Sequence, residues 1–289
     1  KKLINKILTY NDILQMPPPK WLVYDYLLEN STAMLIAPSG SYKSFTALDL
    51  SLSIATGKPY HENIVQQGDV LYIAGEGSSG YRARIGAWKE HYQCEIQRFY
   101  LLPNALDLLQ EETVDIILED VDTLKLDLRL FVIDTLARCN SGEENSASDM
   151  SKFINNLDRI RNVTGCTVLF VHHTGKNASL GARGSSAIYA SVDTSIECGK
   201  QENILTVTCD KQKDAPPFEQ RQFTMQEITF LDGTSLVPVL DDNPIKYTLD
   251  NEVLAKLAYL LANEGQVRKH KDIPEEQMVV NRSRLREEC

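Results

Sequence analysis

From Ala33 onward the chain alternates short apolar runs with longer amphipathic ones. AMLIA (33–37), DVLYIA (69–74), RFYLL (98–102), LRLFVI (128–133) and CTVLFV (166–171) predict strands. The stretches between them predict helices at Ser44–Thr56, Tyr81–Tyr92, Thr113–Leu124 and Ser146–Val163; the last carries Phe153, Ile154, Leu157, Ile160 and Val163 at helical spacing. Such alternation predicts an α/β fold, a mostly parallel sheet flanked by helices. After Val192 the helices stop. TSIEC, NILTVTC, FEQRQFTM and EITFL follow one another across short polar turns, which predicts antiparallel strands added at the C-terminal edge of the sheet.

Three regions follow from this pattern. Residues 1–30 read as a lead-in or docking segment, with an amphipathic stretch, the breaker MPPPK and then WLVYDYLL. Residues 31–240 hold the main domain. Residues 241–289 read as a small, incomplete helical appendage (EVLAKLAYLLANEG) with a mixed-charge tail containing Arg268, Lys269, Lys271, Arg282, Arg284 and Arg286. The chain opens on Lys1 and closes on RSRLREEC, which points to an excerpt of something longer.

Composition narrows the function classes. A net charge of −10 excludes a histone-like binder and requires any nucleic-acid contact to be local. Hydrophobic content of 43% and charged content of 24% argue against disorder and against a coiled coil. No apolar run reaches the roughly 18 residues of a membrane helix, and the start lacks the centre of a secretion signal, so a cytoplasmic protein is expected. Six scattered cysteines without CxxC spacing read as reduced thiols.

The most informative stretch is AMLIAPSGSYKSFTALDLSLSIATG, where an apolar strand enters a small-residue turn and leaves through Lys43 and Ser44 into a helix. Such a turn aims backbone N–H groups and a helix N-terminus at a phosphate chain. Pro38, Ser39, Gly40, Ser41, Tyr42, Lys43, Ser44 and Phe45 are the candidate nucleotide-binding residues. Lys43 is expected on the β- and γ-phosphates and Ser44 on Mg²⁺. The match to G-x-x-x-x-G-K-[ST] is incomplete, because Ala37 and Tyr42 stand where glycines are usual. The plainer alternative is an ordinary strand–turn–helix with a surface Lys-Ser.

A second loop competes: Gly75, Gly77 and Gly80 spell G-x-G-x-x-G, the mark of a dinucleotide fold. It ranks lower because an upstream βα unit already carries the better phosphate turn, and the ribose-binding acid would fall at Glu95, outside a clear strand end. The same loop puts Glu76 at the end of a strand, where a carboxylate can deprotonate a water attacking a γ-phosphate; a solvated loop acid is the alternative.

Asp134 follows the apolar run LRLFVI and emerges at a strand end, the place of an acid that meets Mg²⁺ through water in phosphate-loop enzymes; it could instead cap a turn. Thr135 beside it can join the same water network. His172 and His173 point to opposite faces if the strand continues, one to sense a γ-phosphate and the other to pack or cap. Arg183, in GARGSSA, is placed to touch a polyanion such as DNA, or lies in a solvated loop before a helix cap at Ser185 or Ser186. Lys211 and Lys213 fall on one side of an extended segment, where they either protect a sheet edge or reach a phosphate held by a neighbouring subunit.

Together, APSGSYKSFTALDLSLSIATG, YIAGEGSSGYRARIGAW, FVIDTLARC with ENSASDMSKFINNLDRIR, VLFVHHTGK and ARGSSA resemble the RepA-like branch of RecA/DnaB-type ATPases, the hexameric replicative helicases of plasmids and phages. The resemblance spans about Trp21 to Phe230. It implies a RecA-like core, ATP hydrolysis with Mg²⁺ between subunits of a homo-oligomeric, hexameric ring, and motion along single-stranded DNA. It also implies that Lys43 and Ser44 bind phosphate and Mg²⁺, Glu76 activates water, Asp134 positions Mg²⁺, and His173 or His172 relays nucleotide state. Lys211-Gln212-Lys213 resembles the family's K-x-R pair acting in trans, with Lys213 in the arginine's place. The expected function is a helicase or translocase motor core in phage or plasmid replication, with a fused or associated primase or polymerase module. The alternatives are a RecA- or KaiC-like regulatory or recombination ATPase without unwinding, and a nucleotide-gated DNA-binding or loading module.

Overall fold

The computed structural model describes residues 8–76, 79–144, 146–173 and 186–241, together with two short strands nearer the C-terminus. The chain divides into two compact units, Lys1–Asp241 and Asp242–Cys289. The first unit opens with α1 (Tyr10–Leu14), β1 (Trp21–Val23) and β2 (Leu27–Leu28). It continues β3 (Thr32–Ala37), α2 (Lys43–Thr56), β4 (Asp69–Ala74), α3 (Tyr81–Tyr92), β5 (Phe99–Leu102), α4 (Glu111–Thr123), β6 (Leu128–Asp134), α5 (Ala147–Thr164), β7 (Thr167–His173) and α6 (Ser186–Ser191). It closes with β8 (Thr194–Gln201), β9 (Ile204–Gln212), β10 (Arg221–Phe230) and β11 (Gly233–Leu240). In the second unit β12 (Gln266–Arg268) pairs antiparallel with β13 (Gln277–Val279), and the helix expected at 252–265 lies outside the described residues.

The expected strands and helices between Ala33 and Val171 are present as β3–β7 and α2–α5, each end within two residues of its predicted place. They build a nine-stranded sheet in the order β11-β10-β9-β8-β3-β7-β6-β4-β5. The six strands from β8 to β5 are parallel, and β9, β10 and β11 extend the β8 edge antiparallel. The fold is thus the α/β architecture with an antiparallel edge that the sequence pattern predicts. Three details differ. TSIEC, read with the antiparallel group, belongs to β8, which is parallel to β3 on one side and antiparallel to β9 on the other. FEQRQFTM and EITFL are not two strands but contribute to one, β10. The strand β11 was not expected; it contains Pro238, whose missing N–H is tolerated at the sheet edge.

Side-chain alternation sorts the parallel strands onto two layers. Ala33, Leu35 and Ala37 of β3 pack with Leu48, Leu50 and Leu52 of α2 and with Ala87 and Trp88 of α3 on one face. Met34 and Ile36 pack with Val114 and Ile117 of α4 and Phe153 and Leu157 of α5 on the other. Leu22, Val23, Tyr26 and Leu27 of the opening segment are buried in the α2 layer, where the Tyr26 ring stacks on Phe218 at 4.2 Å.

Helix α2 is buried nearly all round, polar residues included. Asp49 is the extreme case. Its carboxylate accepts one hydrogen bond from Trp88 Nε1 at 2.7 Å and one from His61 Nε2 at 2.6 Å, which pins α2 to α3 and to the segment before β4. Both partners of the His61–Asp49 pair are buried, so removing the acceptor leaves two buried donors without a partner. Asp49→Ala is expected to lower the unfolding free energy by about 3 kcal/mol in chemical denaturation. Asp49→Asn, which keeps one carbonyl acceptor, is expected to cost less.

Candidate nucleotide-binding site

The turn after β3 is built from two left-handed backbone positions. Gly40 has φ +78° and Tyr42 has φ +60°, the second at the N-cap of α2. Tyr42 therefore adopts a conformation usually left to glycine, and its ring is held from three sides. Phe45 meets it edge-on at 6.0 Å, the Lys200 ammonium sits 4.4 Å from its centroid, and its hydroxyl donates to the Glu202 carbonyl at 3.3 Å. The N-cap side chain accepts no hydrogen bond from the helix. The N–H groups of Lys43, Ser44 and Phe45 thus remain free for a ligand, and they carry the positive end of the α2 dipole.

From Lys43 a line of polar contacts crosses the cleft. Its ammonium donates to the Pro38 carbonyl at 2.8 Å and lies 3.1 Å from His173 Nδ1. An ammonium has donors only, so Nδ1 is the acceptor and Nε2 carries the proton. Nε2–H then donates to Glu76 Oε1 at 3.2 Å, where the Thr135 hydroxyl also donates at 3.3 Å. Glu76 is half exposed, so its carboxylate faces the open side of the cleft. Burial pulls the Lys43 pKa down, opposed by the charges of Glu76 and Asp134. The ammonium therefore depends on nearby negative charge, the condition a phosphate chain satisfies.

Asp134 is buried at the end of β6. Its Oδ2 accepts from Tyr72 at 2.7 Å and Tyr81 at 2.9 Å, while its Oδ1 is buried without a hydrogen-bond partner. Burial first, then the charge of Asp134, pushes both phenol pKa values well up, so both hydroxyls stay donors. The orphaned carboxylate oxygen of Asp134, whose charge reaches Lys43, and the Ser44 hydroxyl of the cleft lining are both oxygen donors of the kind a hard divalent cation takes. Ser39, Gly40, Ser41, Tyr42, Lys43, Ser44 and Phe45 line a cleft of ≈ 240 Å³ together with Glu76, Arg84, Thr135 and His173.

The predicted residues thus separate. Lys43, Ser44, Glu76 and His173 meet in one cleft, and Asp134 is buried directly before Thr135 of its lining. Pro38 contributes its carbonyl. His172 is buried on the opposite face of β7. Neither Lys211 nor Lys213 lines the cleft. The Lys211 ammonium donates to the carbonyls of Tyr189, Ala190 and Val192 at the end of α6, and Lys213 is exposed, 3.4 Å from Asp193. Arg183 lies outside the described residues.

Sequence reading missed Arg84, whose guanidinium lies 4.5 Å from the Phe45 ring centroid and 5.3 Å from that of Tyr81. Its signal was its place in the first turn of the helix that follows the Glu76 loop. Tyr72 was legible only as an apolar strand residue, and nothing in sequence spacing pairs it with Asp134.

A family model described as an AAA domain matches residues 8–179, more than half of the chain, and the chain belongs to that family. It is an AAA-type, phosphate-loop ATPase domain that binds nucleotide with a divalent metal. Among the described residues no helix is long and apolar enough to cross a membrane.

Gly75, directly before Glu76, has little room around it. Gly75 N–H donates to the Asp134 carbonyl at 2.6 Å, and a Cβ at this position would stand 2.9 Å from Arg138 Cβ. Gly75→Ala must displace the loop that carries Glu76 and leaves the phosphate turn in place. It is expected to slow hydrolysis about tenfold or more while nucleotide affinity changes little, as read by phosphate release and fluorescent-nucleotide titration.

Proposed function

We propose that this chain is the motor core of a DNA helicase or translocase of phage or plasmid replication, driven by Mg-ATP hydrolysed between subunits of a hexameric ring on single-stranded DNA. The observation that carries the reading is the inventory of positive charge at the cleft. Among the described residues, the cations lining it are Lys43 and Arg84, and Arg84 lies over Phe45. Phosphoryl transfer develops charge that a further cation stabilises, and an adjoining subunit is a ready source.

Lys213, exposed and in an ion pair with Asp193 at 3.4 Å, is a cation available to a neighbour. Lys211 has committed its ammonium to three carbonyls of its own chain. A lysine in the arginine's place keeps the charge and loses the bidentate fork, which predicts slower turnover than an arginine would give.

In this reading an incoming triphosphate draws Lys43 away from Pro38 and His173 onto the β- and γ-oxygens, where the free N–H groups of α2 also bind. The Ser44 hydroxyl and, through water, Asp134 would hold Mg²⁺, which would supply neutralisation of charge on those oxygens. Glu76, oriented by His173 and Thr135, takes a proton from the water that attacks the γ-phosphorus, and ADP and phosphate leave. His173 loses its Lys43 contact on binding and so relays nucleotide state at the end of β7; Arg183, further along the sequence, is the proposed DNA contact.

Lys43→Ala is expected to abolish measurable nucleotide binding, and Glu76→Gln to keep binding while slowing turnover about 10²–10⁴-fold. DNA-stimulated hydrolysis with unwinding of a forked duplex supports the motor reading. Stimulation without unwinding favours a regulatory or recombination ATPase, and nucleotide-dependent DNA binding without turnover favours a loading module. Particle mass with and without ATP and single-stranded DNA tests the ring directly; a monomer under all conditions overturns it.

A further inference from the structure

Asp134 is fixed more firmly than a cation-binding carboxylate requires. Its Oδ2 takes two phenol donors from different elements, Tyr72 of β4 and Tyr81 of α3, and the two hydroxyls are themselves 3.3 Å apart. Both rings are buried and meet edge-on at 5.4 Å, so the hydroxyls have little freedom. With Oδ2 saturated, Oδ1 is the oxygen left for a ligand, and it is the one without a partner.

The two tyrosines have unequal placements. Tyr72 lies within β4, whereas Tyr81 is the first residue of α3 and directly follows the loop that carries Glu76. The other end of that loop is tied to the same residue, because Gly75 N–H donates to the Asp134 main-chain carbonyl. Asp134 therefore holds both ends of the segment Gly75–Tyr81, one through its backbone and one through its side chain.

We propose that Tyr81, supported by Tyr72, is a positioning residue: its hydroxyl selects which oxygen of Asp134 faces the divalent cation and locks that carboxylate to the loop bearing the water-activating Glu76. The inference rests on Asp134 serving the cation in nucleotide hydrolysis. It adds a pair of residues whose action passes through Asp134, with no contact to the reacting atoms. A buried carboxylate with one phenol removed can rotate and share Oδ2 with the cation, which weakens a directional oxygen site.

The test uses the full chain and a readout separate from turnover. Mn²⁺ affinity in the presence of a non-hydrolysable ATP analogue is read by electron paramagnetic resonance, and analogue affinity in EDTA by fluorescence. Tyr81→Phe keeps the ring and removes one oxygen; it is expected to weaken Mn²⁺ binding about tenfold with the EDTA affinity unchanged. Tyr72→Phe is expected to act in the same direction, and the double variant more strongly.

Asp134→Asn separates the two levels of the argument. If it weakens Mn²⁺ binding and both phenylalanine variants leave the affinity at the wild-type value, the positioning role is overturned and the role of Asp134 stands. If Asp134→Asn also has no effect, the cation reading itself fails. Equal losses with and without metal in the phenylalanine variants would mark the hydroxyls as purely structural and overturn the proposal as well.

Discussion

Parallel pairing in a fixed register between β3, β7, β6 and β4 is the constraint on which the site depends. Ala74 pairs with Asp134 and Asp134 with Val171, while Ala37 pairs with His173, so β4 and β6 end together and β3 and β7 end together two residues further on. Ligands of open α/β sheets bind beyond such carboxyl ends, because there the loops leave the core with their backbone groups unpaired. Register also decides which face each end presents. A slip of one residue at β7 would bring His172 to the Lys43 side and bury His173 among Phe170 and Val168. The alternating core residues of both layers forbid that slip, so the packing of Leu169 and Val171 against the α2 layer is what aims His173 at Glu76.

A buried ammonium is the most costly group in the cleft, and the chain satisfies it internally. Lys43 folds back onto the Pro38 carbonyl and the His173 ring, and the histidine passes the contact on to Glu76. In the proposed reading, phosphate binding at this site is an exchange of partners rather than an addition of contacts, and the net gain is the difference between the two sets. The exchange has a direction. Phosphate oxygens carry full negative charge, whereas a carbonyl and a neutral imidazole offer only dipoles, so the charged partner wins in a partly desolvated site. In that reading the same exchange would free His173 Nδ1, the ring whose Nε2 contacts Glu76.

Local features of the fold were legible in the sequence, and features made by distant partners were not. Apolar runs bounded by small and polar residues gave β3 to β7, and the coincidence of strand, turn and Lys43-Ser44 located the cleft. Glu76 and Asp134 were readable because each ends an apolar run. The hydrogen bonds that give them geometry join residues far apart in the chain: Glu76 to His173 across 97 positions, and Asp134 to Tyr72 across 62. No periodicity encodes such a pair. Lys211 and Lys213 show the same limit from the other side. Their spacing put them on one side of a strand, yet β9 ends between them, and one caps α6 while the other faces solvent. The edge strand β11 was not read from the sequence, and it carries Pro238, a residue that argues against a central strand and says little about an outer one.

Tyr42 explains how the phosphate turn forms without its second glycine. A non-glycine residue in the left-handed region costs on the order of 1–2 kcal/mol. An edge-on aromatic contact contributes about 0.5–1.5 kcal/mol and an exposed cation–π contact about 0.5–1 kcal/mol, so Phe45 and Lys200 offset a cost of that size. The position is thus strained in its backbone and compensated by its side chain. A glycine would form the same turn with no attachment to anything else. The tyrosine instead fastens the turn to Lys200 and Glu202, at the bend where β8 passes into β9 and the parallel core gives way to the antiparallel edge. Whatever moves the phosphate turn therefore pulls directly on that edge, through one aromatic ring and one hydroxyl.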